Sequence, residues 1–126
     1  MNKPEKLSDR RRQRRRYLNV PVLMSVGLGM PGKKKINAFS RDISRLGMFI
    51  ETDLPVRKET VVEISFSIPG SGKKTSLSGR VVRLVERKRK NMSRASGFAI
   101  SFEDIDRDVL EEIERYISAA SFFLDE

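Results

Sequence analysis

The sequence predicts a mainly β protein, an antiparallel barrel or sandwich of six short strands that is followed by one helix. Two observations carry this prediction. Between residues 20 and 102, apolar residues recur at every second position in short runs that are separated by turn signals. From Val109 onward they recur at helical spacing instead. The 126 residues are enough for one domain with one modest hydrophobic core.

Six runs fit strands: residues 20–28, 36–40, 47–52, 60–68, 75–86 and 97–102. The run at residues 60–68 alternates most regularly, and Pro-Gly-Ser-Gly then turns the chain into the next run. The last segment, residues 109–124, predicts an amphipathic helix with Asp104 or Asp106 as its N-cap. Such a helix needs an apolar surface to cover, and the end or open edge of a β structure supplies one.

The composition argues against catalysis. The chain has no cysteine and no histidine, so thiolate chemistry, disulfides, the commonest general base and the commonest metal ligand are all missing. No run of carboxylates has the spacing of a calcium-binding loop. We therefore expect a binding protein rather than an enzyme, with no metal and no cofactor.

The charge is distributed unevenly along the chain. Residues 1–16 carry eight lysines and arginines against two carboxylates, and residues 17–102 carry sixteen against six. Residues 103–126 reverse the balance, with two against nine. Because the first segment also lacks apolar periodicity, we expect residues 1–16 to be a flexible basic arm on a domain formed by residues 17–126. The positive field favours an anionic partner.

The arginines at residues 14–16 and the apolar run after them have the look of a twin-arginine export signal. However, Asn19, Pro21 and Ser25 interrupt the apolar part, no small-residue cleavage site follows, and its alternation suits a strand. We expect a cytoplasmic protein. No stretch approaches the ~20 apolar residues of a membrane span.

Three residues between the second and third strands have chemistry suited to a nucleotide. Asp42 offers a carboxylate that accepts two parallel N–H donors, as the edge of guanine presents them. The hydroxyl of Ser44 reaches a phosphate oxygen or an exocyclic amine, and Gly47 permits a close approach of the backbone. The same three residues also suit a plain loop, since Asp, Ser and Gly are turn formers.

The arginines at residues 10–16 complement such a site. A guanidinium pairs bidentately with phosphate or with guanine O6 and N7, and it stacks on a purine face. Taken alone, the run is equally consistent with a solvated, highly charged segment. The occurrence of both features in one chain favours the ligand-binding interpretation over the solvated segment.

An arginine cluster before the first strand, followed by Asp-x-Ser-x-x-Gly before the third, resembles the bacterial PilZ domain family. Residues 79–83 (Gly-Arg-Val-Val-Arg) resemble the fifth strand of that family, and residues 97–102 before an acidic helix start resemble its ending. The resemblance covers residues ~10–120. It implies a six-stranded antiparallel β-barrel with a C-terminal helix, no enzymatic activity, and cyclic di-GMP as the ligand.

The resemblance also implies the site residues. Asp42 and Ser44 contact guanine and phosphate, Gly47 shapes the loop, and the arm arginines Arg14, Arg15 and Arg16 swing onto the ligand. The family pattern is Arg-x-x-x-Arg, with the second arginine immediately before the first strand. If Arg15 is the first, Asn19 occupies the second position and lacks the charge and the bidentate fork. The pairs 10/14, 11/15 and 12/16 have the same spacing further from the strand.

Three functions fit these features. The first is a cyclic di-GMP receptor, a monomer or weak dimer, in which the ligand orders the arm and an effector protein recognises the result. That effector would control motility, exopolysaccharide or adhesion. The second is a PilZ-type interaction module that has lost the nucleotide, as Asn19 suggests. The third, a basic barrel that binds nucleic acid, is disfavoured because the chain has no Trp and two Tyr, and most of its seven Phe alternate as core.

Overall fold

A computed structural model describes residues 14–26, 34–86 and 96–119. These residues form seven strands and one helix: β1 Arg16–Tyr17, β2 Pro21–Val26, β3 Lys34–Ile43, β4 Gly47–Glu51, β5 Val61–Ser67, β6 Lys74–Val85, β7 Gly97–Glu103 and α1 Arg107–Ser118. The mainly β class and the closing helix are as the sequence predicts. Leu28 and residues 120–124, which were assigned to the first strand and to the helix, lie outside the described residues.

Six of the strands close into a barrel. Neighbouring strands pair in the order β3-β2-β5-β6-β7-β4, every pair is antiparallel, and β4 pairs back onto β3. The six-stranded antiparallel barrel with a C-terminal helix, which the family resemblance implies, is confirmed. Two bulges interrupt the ladders, at Arg41 on β3 and at Val82 on β6. Closure places Asp42 on β3 and Gly47 on β4 within the barrel wall rather than at a free edge.

The short strand β1 continues the line of β2 along β3, but residues 18–20 break the ladder between them. Ser40 bridges the break: its hydroxyl donates to the Leu18 carbonyl and accepts the Val20 N–H at 3.1 Å. The Leu18 side chain turns into the core. The barrel wall therefore begins at Arg16, four residues earlier than the alternation from Val20 predicts.

On β2 and β5 the predicted alternation places the core correctly. On β5 the side chains of Val62, Ile64 and Phe66 point inward and are fully or almost fully buried, as are Val22 and Met24 on β2. Burial of apolar side chains on this scale is the main term that holds the barrel together.

The helix α1 covers one end of this core. Ile113 and Ile117 are its buried residues, with Val109 and Tyr116 packed against the cluster. Asp106 occupies the predicted N-cap position, but its side chain makes no capping hydrogen bond. The helix is therefore held by its apolar face, and not by the cap that the sequence suggested. No helix in residues 14–26, 34–86 and 96–119 is long and apolar enough to cross a membrane.

Candidate functional site

The turn between β3 and β4 is built around Ser44. Its hydroxyl accepts the N–H groups of Leu46 at 3.2 Å and Gly47 at 3.3 Å, while its own N–H donates to the Gly47 carbonyl at 2.8 Å. The side chain is completely buried. A serine that satisfies two backbone donors fixes the shape of the turn, which is the structural role that turn chemistry suggests.

Asp42, two residues earlier, faces the outside of the barrel. It lies opposite Tyr17 on β1 and Phe49 on β4, whereas the neighbours Met48 and Ile50 belong to the core cluster. The residue is only 6% exposed, so its charge requires partners. Arginines supply them on both sides.

Arg15 is the first partner of Asp42. Its Nε and Nη2 donate to Oδ1 at 3.1 and 2.6 Å, and its Nη1 lies 3.5 Å from Ser44 Oγ, a long contact. One arginine thus touches both polar residues of the turn region, 27 and 29 positions away in the chain. The structure brings together the two features that the sequence analysis linked, the arginine run and the Asp-x-Ser-x-x-Gly segment.

Arg41 is the second partner of Asp42, and sequence reasoning missed it. Its Nε donates to Oδ2 at 3.3 Å, and its guanidinium carbon lies 4.0 Å from the centroid of the Phe49 ring. Arg83 approaches the same ring to 5.9 Å. Phe49 is fully buried although it lies outside the core cluster. One feature of the sequence could have pointed to it. Residues 48–50 are three consecutive apolar residues, so the middle one, Phe49, faces outward and requires a side chain that shields it from solvent.

Of the other predicted arginines, Arg16 is engaged at the helix and not at Asp42. Arg16 points to the helix, where its Nη1 donates to the Tyr116 carbonyl at 2.7 Å and its guanidinium carbon lies 4.0 Å from the Tyr116 ring centroid. The Tyr116 hydroxyl donates to the Tyr17 carbonyl at 2.7 Å, which ties β1 to α1 from the other side. Arg14 and Asn19 are exposed, and Arg10 to Arg12 lie outside the described residues.

Gly47 serves the barrel. A Cβ atom at this position would lie 1.9 Å from the Ile100 carbonyl oxygen on β7, so only glycine allows β4 and β7 to pair this closely. Its φ is not positive, because the positive-φ glycines are Gly70 and Gly72. Gly47 thus allows a close approach between two strands, and its expected role at a ligand stays a prediction.

Two further arginines on the barrel are committed to carboxylates. Arg45 lies 3.2 Å from Glu114, and Arg80 donates to Glu103 at 2.6 and 3.4 Å. The hydrogen bond and the negative charge of Glu103 raise the pKa of Arg80 above its ordinary value. Both arginines are therefore paired with carboxylates other than Asp42.

An open cleft of about 720 Å³ lies on another part of the barrel, between β2, β5 and β6. Its lining includes Glu63, Glu103 and Asp104 and excludes Asp42 and Ser44. An acidic lining disfavours an anionic ligand. We therefore place the candidate site at Asp42, where the guanidinium groups of Arg15 and Arg41 converge.

The sequence model of the PilZ domain matches residues 9–119 of the chain. The same fold occurs in solved structures at low identity. The Bacillus subtilis inhibitor of motility MotI/DgrA has a TM-score of 0.69 and 15% identity, covering 86% of this chain and 49% of that one. The PilZ domain of Escherichia coli YcgR with c-di-GMP has a TM-score of 0.58 and 20% identity, covering 85% and 91%.

The Klebsiella pneumoniae MrkH–c-di-GMP complex gives a TM-score of 0.61 and 15% identity over 83% of this chain and 49% of that one. The chain thus spans about half the length of MotI/DgrA and of MrkH. A search of curated protein sequences gave no match. At these identities the solved structures establish the fold alone.

Proposed function

The chain belongs to the PilZ domain family, and on that premise we propose that it is a receptor for cyclic di-GMP. The observation that carries the proposal is the convergence of Arg15 on Asp42 and Ser44. Two structures that share this fold, the YcgR PilZ domain and MrkH, are complexes with c-di-GMP. The ligand has two guanines and two phosphates, for which a carboxylate and several guanidinium groups are matched partners.

Binding begins at the Asp42 carboxylate. Its Oδ1 accepts two donors from Arg15, and these are the contacts that a guanine N1–H and N2–H edge would replace. Arg15, once released, turns its fork to a phosphate of the same ligand. The exchange keeps every charged group paired, which is a condition for binding at a carboxylate with so little exposure.

The domain acts as a relay and not as a catalyst. The ligand moves Arg15 and changes the surface around Asp42, and an effector protein recognises the changed surface. Asn19, which leaves one position of the family's arginine pair without a charge, favours a second candidate. In that candidate the domain binds its protein partner without the nucleotide.

Calorimetric titration of cyclic di-GMP into the full chain, with GTP as the control ligand, tests the proposal. We expect micromolar or tighter binding of cyclic di-GMP and no heat with GTP. Asp42→Ala should abolish the heat, because it removes the guanine acceptor. Asp53→Ala, which removes an exposed carboxylate elsewhere on the barrel, should leave it unchanged.

Two results decide against the receptor. An absence of heat and of any thermal shift with the wild-type chain favours the interaction module. Unchanged affinity in Asp42→Ala would show that the nucleotide binds somewhere else.

A further inference from the structure

We propose that Arg41 supplies the second ligand-binding arginine that Asn19 cannot provide, and that its terminal amino groups bind a phosphate of the dinucleotide. This inference rests on the proposed function and adds a residue and a contact to it. Position 41 lies one residue before the Asp-x-Ser-x-x-Gly segment. It is therefore far in sequence from the arginine run and close to Asp42 in space.

The β-bulge explains how Arg41 reaches the site. On β3, Ser40 is opposite Ile50 and Asp42 is opposite Phe49, so Arg41 is the additional residue. A bulge of this kind breaks the alternation and places two consecutive side chains on one side of the strand. Both Arg41 and Asp42 consequently lie on the outer face of β3, where Arg41 is partly exposed and Asp42 is 6% exposed beneath its arginine partners.

Arg41 is held in place before any ligand arrives. Its Nε bonds to Asp42 Oδ2 at 3.3 Å, and the Phe49 ring lies beneath its guanidinium group. Its side chain remains 35% exposed. A side chain fixed on two sides loses little further conformational freedom on binding, which is an advantage over a free arm residue.

The part of Arg41 that remains available is the part that a phosphate recognises. Among the described residues, no hydrogen bond engages its Nη1 or Nη2 groups. These two groups form the fork that pairs with two phosphate oxygens. Arg83 lies near the same Phe49 ring and adds positive charge. Arg15 already offsets the charge of Asp42, so the local field favours an anion.

Other arginines near the turn are less suitable. Arg16 is bound to the Tyr116 carbonyl, and Arg45 lies against Glu114. Asn19 is exposed and uncharged. Arg41 and Arg15 share one carboxylate, one on each oxygen, so a dinucleotide that docks at Asp42 lies between two guanidinium groups.

The test is Arg41→Met, which keeps a hydrocarbon chain over Phe49 and removes the charge and the fork. We expect cyclic di-GMP affinity to fall about 10-fold or more by calorimetry, as for loss of a charge-assisted hydrogen-bonded contact. The matched control is Arg45→Met, the same change in the adjacent turn. Its affinity should stay within about twofold of wild type, because Arg45 pairs with Glu114 at the surface and such pairs contribute little. Adding Asn19→Arg to Arg41→Met should restore affinity, which a purely structural role of Arg41 would not allow.

The outcomes separate this inference from the proposed function. If the wild-type chain binds and Arg41→Met binds equally well, the role of Arg41 is overturned and the receptor stands. If the wild-type chain does not bind, the receptor proposal fails and this inference fails with it. Should Arg41→Met unfold, Arg41→Lys keeps the charge without the fork, and its affinity must lie below wild type for the inference to survive.

Discussion

Replacing Gly47 by Ala tests the argument that this glycine belongs to the barrel. The new Cβ would lie 1.9 Å from the Ile100 carbonyl oxygen, whereas ordinary contact begins at 3.4 Å. The obstacle is backbone on a central strand, so no side-chain rotation relieves it. Strands β4 and β7 must move apart where Gly47 pairs with Ser101.

The expected cost follows from that geometry. Overpacking of this kind costs about 1–3 kcal/mol. Each backbone hydrogen bond that the separation breaks adds about 1 kcal/mol. The nearby bond from the Phe102 N–H to the Leu46 carbonyl, at 2.8 Å, is the one most exposed to the shift. We expect Gly47→Ala to lower the free energy of unfolding by about 3 kcal/mol, or the melting temperature by about 10 °C for a domain of this size.

The matched control is Gly79→Ala. A Cβ at Gly79 would also approach Ile100, but there it meets the side chain, with the Cδ1 atom at 2.6 Å. Rotation of the Ile100 side chain moves Cδ1 away, and its Cβ at 3.0 Å needs a shift of only a few tenths of an ångström, so the cost should be about 1 kcal/mol. Both glycines have ordinary φ values, and any gain from a less flexible unfolded chain is common to the two variants.

Urea denaturation of both variants measures the difference. Equal stabilities, or a lower stability of Gly79→Ala, would refute the claim that β4 and β7 pair closely only because residue 47 is glycine.

Two further predictions concern the fold. Ser40→Ala removes the buried hydroxyl that accepts the Val20 N–H, so we expect urea denaturation to show a free energy of unfolding lower by about 1–3 kcal/mol. The control Ser76→Ala removes only an exposed 3.5 Å contact with Ser65 and should leave the free energy of unfolding almost unchanged. Stability should be nearly flat between pH 6 and 8, because the chain has no histidine or cysteine. The raised pKa of Arg80 points the same way, since stability from a raised pKa is complete below the unfolded-state pKa and is lost only above it. A steep change in unfolding free energy across this range would contradict it.

The sequence predicts most strands of the barrel because one face of each is buried. Val62, Ile64 and Phe66 alternate with outward residues, and a period of two records that arrangement directly. Strand β1 shows no such alternation in the sequence. It is two residues long, and its position depends on the Ser40 hydroxyl filling a break in the ladder. A contact between residues twenty apart leaves no periodic trace.

The arrangement of the candidate site was predictable in part, from the family resemblance and not from periodicity. The family resemblance linked Arg15 to Asp42 and Ser44, and these three residues do lie together. Arg41 was not predicted because regular alternation would turn its side chain to the opposite face from Asp42. The bulge adds one residue to the strand and brings both side chains to the same face. Gly47 was recognised as special, but which neighbour it approaches depends on the pairing of β4 with β7.

The anchoring of β1 joins the candidate site to the helix. Arg15 donates to Asp42, and the next residue, Arg16, donates to the Tyr116 carbonyl on α1. Tyr116 in turn donates to the Tyr17 carbonyl. Three consecutive residues thus connect the Asp42 carboxylate with the helix, so a ligand that displaces Arg15 acts on the segment that fastens α1 to the barrel.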